Sequence, residues 1–262
     1  MTKQHQDSSY DARFSSALGG SEYDDLLIAL DFYDEFQAQV GIALKRYLED
    51  HCVGQDEIHV LEAGPGTGIT TMQLLKADPR VKITAVDNEK KMLDAVRDRF
   101  ASMEGAAGRV DFVLSDILEF LESKEDNCFD VFASVYTLHN FTPDFRIKVL
   151  DLIAKKLKHG GVFINGDKYA REGNEHQSDF DSEIRNYDKF EMAAAEAESR
   201  GNIERAAHLR KIREEWTLHA AEDEKNKITV EEQNQILKEF GFKDVEWGKR
   251  FDLVVTVKAI KV

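Results

Sequence analysis

The stretch His59–Thr71, HVLEAGPGTGITT, sets Gly64, Gly66 and Gly68 between an apolar run and a segment of helical character. Glycine loses more backbone freedom on folding than any other residue, so three within five positions need a reason. A strand that hands over directly to a helix supplies one: without side chains, backbone amides can approach a ligand closely. The spacing narrows the ligand. No Lys-Ser or Lys-Thr pair follows the glycines, which excludes the phosphate-cradling Walker loop. The dinucleotide fingerprint wants its third glycine at position 70, where Thr70 stands. The tighter alternation here suits a ligand with no phosphate.

Outward from that stretch the chain alternates. EIHVLEA reads as a buried strand and about 67–76 as a helix; VKITAVD is a second strand and EKKMLDAVRDRF is helical. RVDFVLSD is a third strand, and FDVFASVYTLH a fourth that runs into a loop. DFRIKVLDLIAKKLK predicts a helix closed by HGG, followed by a fifth strand, VFINGDKYA. Such alternation implies an α/β fold, a doubly wound, mostly parallel sheet of seven strands with helices on both faces. The last two strands lie in KDVEWGKRFDLVVTVKAIKV, plausibly antiparallel, after a helix in TVEEQNQILKEFGF.

Two regions stand outside the alternation. Residues 1–50 read as a polar N-terminal flap followed by one or two amphipathic helices, leading into a core domain over 51–262. About 175–227, charged and rich in alanine, predicts a helical hairpin inserted after the fifth strand, turning at Gly201 and Asn202.

Bulk properties bound the function. The 262 residues are 42% hydrophobic, enough for one large domain with a core. A formal net charge of −15 disfavours broad nucleic-acid binding, since the global field repels phosphates. Two cysteines, Cys52 and Cys128, suit neither a metal cage nor a disulfide framework, and no metal site is expected. No apolar run approaches the ~18–20 residues of a bilayer span, and the first residues lack the apolar centre of a secretion signal. A cytoplasmic protein without membrane association is the expectation.

Four segments in order resemble motifs of the class I S-adenosylmethionine-dependent methyltransferases: VLEAGPGTG, AVDNEKKML, VLSDILEF and FDVFASVYTLHNF, with LKHGGVFIN closing the core. The resemblance implies S-adenosylmethionine as cofactor. It implies that the glycine loop (Gly64, Gly66, Thr67, Gly68) approaches it and that Asp87 grips the ribose hydroxyls. A carboxylate accepts two hydrogen bonds at once and fits vicinal hydroxyls. Asp116 is implied as the partner of the adenine amino group with Ile117 beside the ring. Glu62, Asn88, Met92, Ser134 and Val135 complete the cofactor set. Bland readings stand beside these: Asp87 and Asp116 as helix caps, Met92 as core.

Methyl transfer from a sulfonium is an in-line displacement, so positioning and dryness dominate and no fixed triad is required. Groups after strands four and five face the ligand side of such a sheet. His139 is the leading titratable candidate and Tyr136 the second catalytic candidate, with Asn140, Asp167 and Tyr169 nearby. A histidine held structurally in its loop is the alternative. No NPPY-like motif follows the fourth strand, which argues against adenine or glutamine methylation; a small-molecule acceptor is expected. The hairpin is expected to be a lid with Tyr187, Phe190 and Trp216 toward the acceptor, or else a homodimer interface. Rival functions are a tRNA-modifying carboxymethyl-type transferase using a derivative of the same cofactor, and a non-catalytic cofactor-binding protein. For the first rival, Arg171, Arg185 and Arg213 are candidates to meet the transferred carboxylate.

Overall fold

A computed structural model describes residues 25, 27–101, 103, 105, 106, 108–171 and 176–262, with the side chains of 176–178, 219, 221–223 and 225 left aside. The expected N-terminal flap, with Tyr10, Phe14 and Tyr23, lies outside the described residues. α1 (Tyr33–His51) buries Phe36, Val40, Leu44, Tyr47 and Leu48, a stripe at helical spacing. The alternation then runs β1 (Ile58–Ala63), α2 (Ile69–Ala77), β2 (Val81–Asp87), α3 (Lys90–Ala101), β3 (Val110–Leu114), α4 (Ile117–Glu122) and β4 (Phe129–Val135). A single 3-10 turn, Leu138–Asn140, leads to α5 (Pro143–Lys156) and β5 (Leu157–Lys168). The hairpin is α6 (His176–Ser199) and α7 (Ile203–Asn226), and α8 (Val230–Glu239), β6 (Phe242–Trp247) and β7 (Val254–Lys261) close the chain.

The sheet order is β3-β2-β1-β4-β5-β7-β6. The first five strands pair in parallel; β7 runs antiparallel to both β5 and β6. The expected α/β, doubly wound, mostly parallel seven-stranded sheet is therefore observed. Order reverses between β1 and β4, and the strand ends at that switch point open the crevice where such sheets bind ligands. One core packs α1 and α2 on Val131, Ala133, Val162 and Ile164; the opposite core packs α5 on Phe132 and Phe163.

One boundary departs from the sequence expectation. The HGG segment does not close a helix: the strand begins at Leu157, which pairs with Phe129, and register shifts before Val131 pairs with Val162. Gly160, at φ 78°, and Gly161 lie inside this irregularity. A Cβ on Gly161 would stand 2.8 Å from the Lys158 carbonyl oxygen and 3.0 Å from that of Asp130. The glycines thus serve a bulge rather than a helix cap.

The hairpin forms over the expected span. Phe190, Ala194, Leu209, Ile212 and Trp216 bury one another between α6 and α7. Gly201 turns the chain at φ 79°, and Asn202 Oδ1 accepts from the Arg205 amide at 3.1 Å. A buried ionic group fastens this hairpin to the sheet. Lys168 of β5 and Lys227 each donate to Glu183 of α6 at 2.6 Å, and the Tyr187 hydroxyl donates to the same carboxylate at 2.6 Å. Burial alone would raise the Glu183 carboxyl, but the two ammonium groups hold it far below the usual range.

Candidate functional site

The glycine loop joins β1 to α2 with Gly64, Gly66 and Gly68 all in the left-handed region, at φ 65°, 53° and 87°. Crowding adds to the backbone demand. A Cβ on Gly64 would lie 2.3 Å from Thr137 Oγ1, and one on Gly68 would lie 2.4 Å from Val96 Cγ2. The loop is thus clamped between the segment after β4 and α3, with no room for a side chain at Gly64 or Gly68.

Beside it opens a cleft enclosing about 790 Å³, its mouth included. Of the sequence candidates, Gly64, Gly66, Asp87, Asn88, Met92, Asp116, Ile117, Val135 and Tyr136 line it. The others lie behind the wall, each for a local reason. Glu62 is wholly buried on β1 and accepts from Thr71 Oγ1 of α2 at 2.7 Å. Thr67 is buried, and Gly68 faces Val96 and Phe100. Ser134 alternates with Val135 and so projects to the opposite sheet face. Residues not singled out in sequence also line the cleft, among them Glu89, Ser115, Thr137, Phe141 and Phe145. Their loops carry no motif of their own; only the closeness of β1, β2 and β4 brings them together.

The carboxylates carry the electrostatics. Burial pushes the Asp87 carboxyl up to about 6, against the pull of backbone amides of Glu89, Gly66 and Asn88. Burial pushes Glu62 up to about 8; the Thr71 hydrogen bond opposes this and the neighbouring Asp87 adds to it. Glu62 Oε1 has no hydrogen-bond partner among the described residues. Asp116 caps α4, accepting from the Leu118 and Glu119 amides at 2.7 and 3.3 Å, yet it also lines the cleft. Its cap reading and its ligand reading are thus compatible.

His139 is turned away from the cleft. Its Nδ1 lies 2.5 Å from Asp167 Oδ1, and its backbone amide donates to Asp167 Oδ2 at 3.0 Å. Burial would raise Asp167, but the imidazole, the Lys168 amide and Arg146 pull it below the usual carboxylate range. An ionised Asp167 accepts, so Nδ1 carries the hydrogen. Asn165 Nδ2 bridges Asp167 and the Tyr169 hydroxyl, at 3.4 and 2.8 Å. Buried Arg146 donates to the carbonyls of Leu138, His139, Phe141 and Asn226 and so ties this turn to the end of α7. Tyr136 sits in the left-handed region at φ 53°, its ring parallel to Tyr33 at 6.0 Å and edge-on to Phe36 at 5.2 Å. In the hairpin, Phe190 and Trp216 serve the packing between its helices, not a cavity wall; Tyr187 does line one.

Residues 60–161 match a family model described as a methyltransferase domain. Over this stretch, less than half of its length, the chain resembles a methyltransferase domain. The hairpin lies beyond the matched residues. Two carboxy-S-adenosyl-L-methionine synthases resemble the chain. That of Campylobacter lari is 30% identical over 113 residues, 43% of this chain and 45% of that protein. That of Campylobacter fetus subsp. fetus is 26% identical over 180 residues, 66% of this chain and 71% of that protein. The chain therefore aligns with less than half of the first relative. Among solved structures, the DszA carbon methyltransferase shares the fold at 16% identity with a TM-score of 0.59, covering 88% of this chain and 55% of that one. No described helix is long and apolar enough to cross a membrane.

The methyltransferase domain's cofactor fits the donor set. The Gly64 cradle would be filled by any Cβ, the Asp87 carboxylate lines the cleft beside it, and Ile117, Met92 and Phe141 offer apolar surface for a flat base.

Proposed function

We propose that this chain methylates a small-molecule acceptor, with S-adenosylmethionine held in the cleft between β1, β2 and β4. One observation carries the reading: a half-buried, cleft-lining carboxylate, Asp87, stands beside a backbone cradle with no room for a Cβ at Gly64. Asp87 would take the ribose hydroxyls, Asp116 and Ile117 the base, and the glycine loop the amino-acid end. When bound, the sulfonium supplies an electrophilic methyl and departs as a neutral thioether. The chain's own task is to align the acceptor with that methyl and keep water out. Tyr136 shapes the wall where the two meet. His139, outside the cleft wall and anchored by Asp167, is a positioning residue for the turn that carries Asn140 and Phe141.

Calorimetry with S-adenosylhomocysteine tests the cofactor assignment. Asp87→Asn should weaken binding by about ten- to a hundredfold, the scale of a lost charged hydrogen-bond pair. Unchanged affinity would refute the assignment. Release of S-adenosylhomocysteine across a panel of metabolites would then identify the acceptor.

The names of the two Campylobacter relatives favour a second reading, synthesis of a carboxylated form of the cofactor rather than its use on tRNA. Mass spectrometry of ligand co-purified with the protein separates the readings. A species heavier than S-adenosylmethionine by a carboxylate supports the second; S-adenosylmethionine or S-adenosylhomocysteine alone supports the first.

A further inference from the structure

A second cavity adjoins the cleft. It encloses about 400 Å³, its mouth included, between residues 29–31, the end of β5, α6 and the turn before β7. Tyr136 lines both spaces and is the one described residue they share. Its neighbours in the second wall include Tyr187 and Phe251, so three aromatic rings face this space.

The charges on that wall are lopsided. Three carboxylates, Asp31, Glu183 and Asp252, face one ammonium, Lys168. Glu183 is matched by Lys168 and Lys227, and Asp31 by Lys189 at 2.6 Å. Asp252 differs. Its oxygens accept from the neutral donors Ser182, at 2.8 and 3.0 Å, and Asn186, at 3.1 Å. The cation recorded beside it, Arg171, stands 3.8 Å away and lies closer to Asp179, at 3.3 Å. Asp252 is therefore the wall carboxylate with the least compensated charge, and its backbone, at φ 51°, is held in the left-handed region as that of Tyr136 is.

Resting on the reading of the main cleft as the cofactor site, we propose that this second cavity receives the acceptor, that the acceptor is an organic amine bound as its ammonium, and that Asp252 selects it. An ammonium is attracted by the faces of aromatic rings as well as by the carboxylate; Lys249 already lies 4.7 Å over the Phe251 ring, which leaves Tyr136 and Tyr187 for the acceptor. An anion of the same shape meets the Asp252 carboxylate instead, Asp31 and Glu183 being already paired with lysines. The net charge of −15 acts in the same sense at longer range, enriching cations near the protein and depleting anions. The ammonium serves here as the recognition handle, and the aromatic wall takes the acceptor's body toward Tyr136.

Two probes that share a phenol ring and differ in the sign of their charge, tyramine and 4-hydroxyphenylacetate, test this. Each is titrated by ligand-observed NMR against full-length protein saturated with S-adenosylhomocysteine, so that no methyl donor is present. Tyramine should bind at least about tenfold more tightly than the acid. Asp252→Asn should abolish most of that preference and Asp252→Glu should keep it, while both variants retain S-adenosylhomocysteine binding. Equal binding, preference for the acid, no detectable tyramine binding, or a preference unchanged in Asp252→Asn would each overturn the proposal. If S-adenosylhomocysteine binds and the amine preference is absent, the acceptor assignment alone falls. If S-adenosylhomocysteine does not bind, the cofactor assignment falls with it.

Discussion

Beside the main cleft the glycine loop contributes main chain: three left-handed glycines, Gly64 pressed against Thr137 and Gly68 against α3, with Asp87 at the neighbouring strand end. Under the hairpin the wall is side chain: three aromatic rings over a floor where Lys168, Lys227 and Glu183 are locked together. The difference teaches how one sheet can carry two cavities of different character. A backbone cradle tolerates almost no substitution but recognises what many proteins share. A side-chain wall can be recut for a new ligand while the sheet beneath it stays the same.

The largest break should come in the cradle. Gly64→Val combines an unfavourable φ with a collision against Thr137, so S-adenosylhomocysteine affinity should fall by more than about a hundredfold in calorimetry. In the hairpin half, Glu183→Ala leaves buried Lys168 unmatched and Lys227 with Glu224 alone, and should cost about 3–5 kcal/mol in denaturant unfolding. Replacing Glu183, Lys168 and Lys227 together by Met should recover most of that loss, because the desolvation cost goes with the charges.

A smaller effect should appear with pH. The Asp87 carboxyl is raised from 3.8 to about 6 in the free protein. The folded state thus holds an extra proton between those values, and the free protein loses this contribution to stability as pH rises through them. Hydroxyl donors favour the ionised carboxylate, so S-adenosylhomocysteine affinity should rise a few-fold between about pH 5 and 7. Calorimetry across that range checks it, and Asp87→Asn should flatten the profile. The smallest change lies outside both cavities. Thr229 caps α8 in a reciprocal box with Glu232, so Thr229→Ala should cost about 1 kcal/mol in thermal unfolding and leave S-adenosylhomocysteine binding unaltered.

What could be read in sequence followed the same division. That the glycine loop, Asp87 and Asp116 gather at one cleft was legible because each lies in a short run of residues at a strand end. The hairpin was legible because helical periodicity and a Gly-Asn turn are local signals. The start of β5 was not: Leu157–Gly161 is decided by its pairing with β4, and HGG looks alike at a bulge and at a helix end. The partner of His139 was also hidden, since Asp167 meets it only after β4 and β5 pair in register. Tyr136 could be placed after the fourth strand, but its position between two cavities depends on α6 and the turn before β7, both distant in sequence.

The place of β7 between β5 and β6 carries a consequence for how the chain matures. The hairpin, α8 and β6 must all be synthesised before β5 gains its second neighbour. Until then β5 presents an open hydrogen-bonding rim flanked by Phe163 and Ile164, the kind of edge that templates misassembly. Nascent chains halted before residue 254 should therefore depend on chaperones far more than the finished protein does.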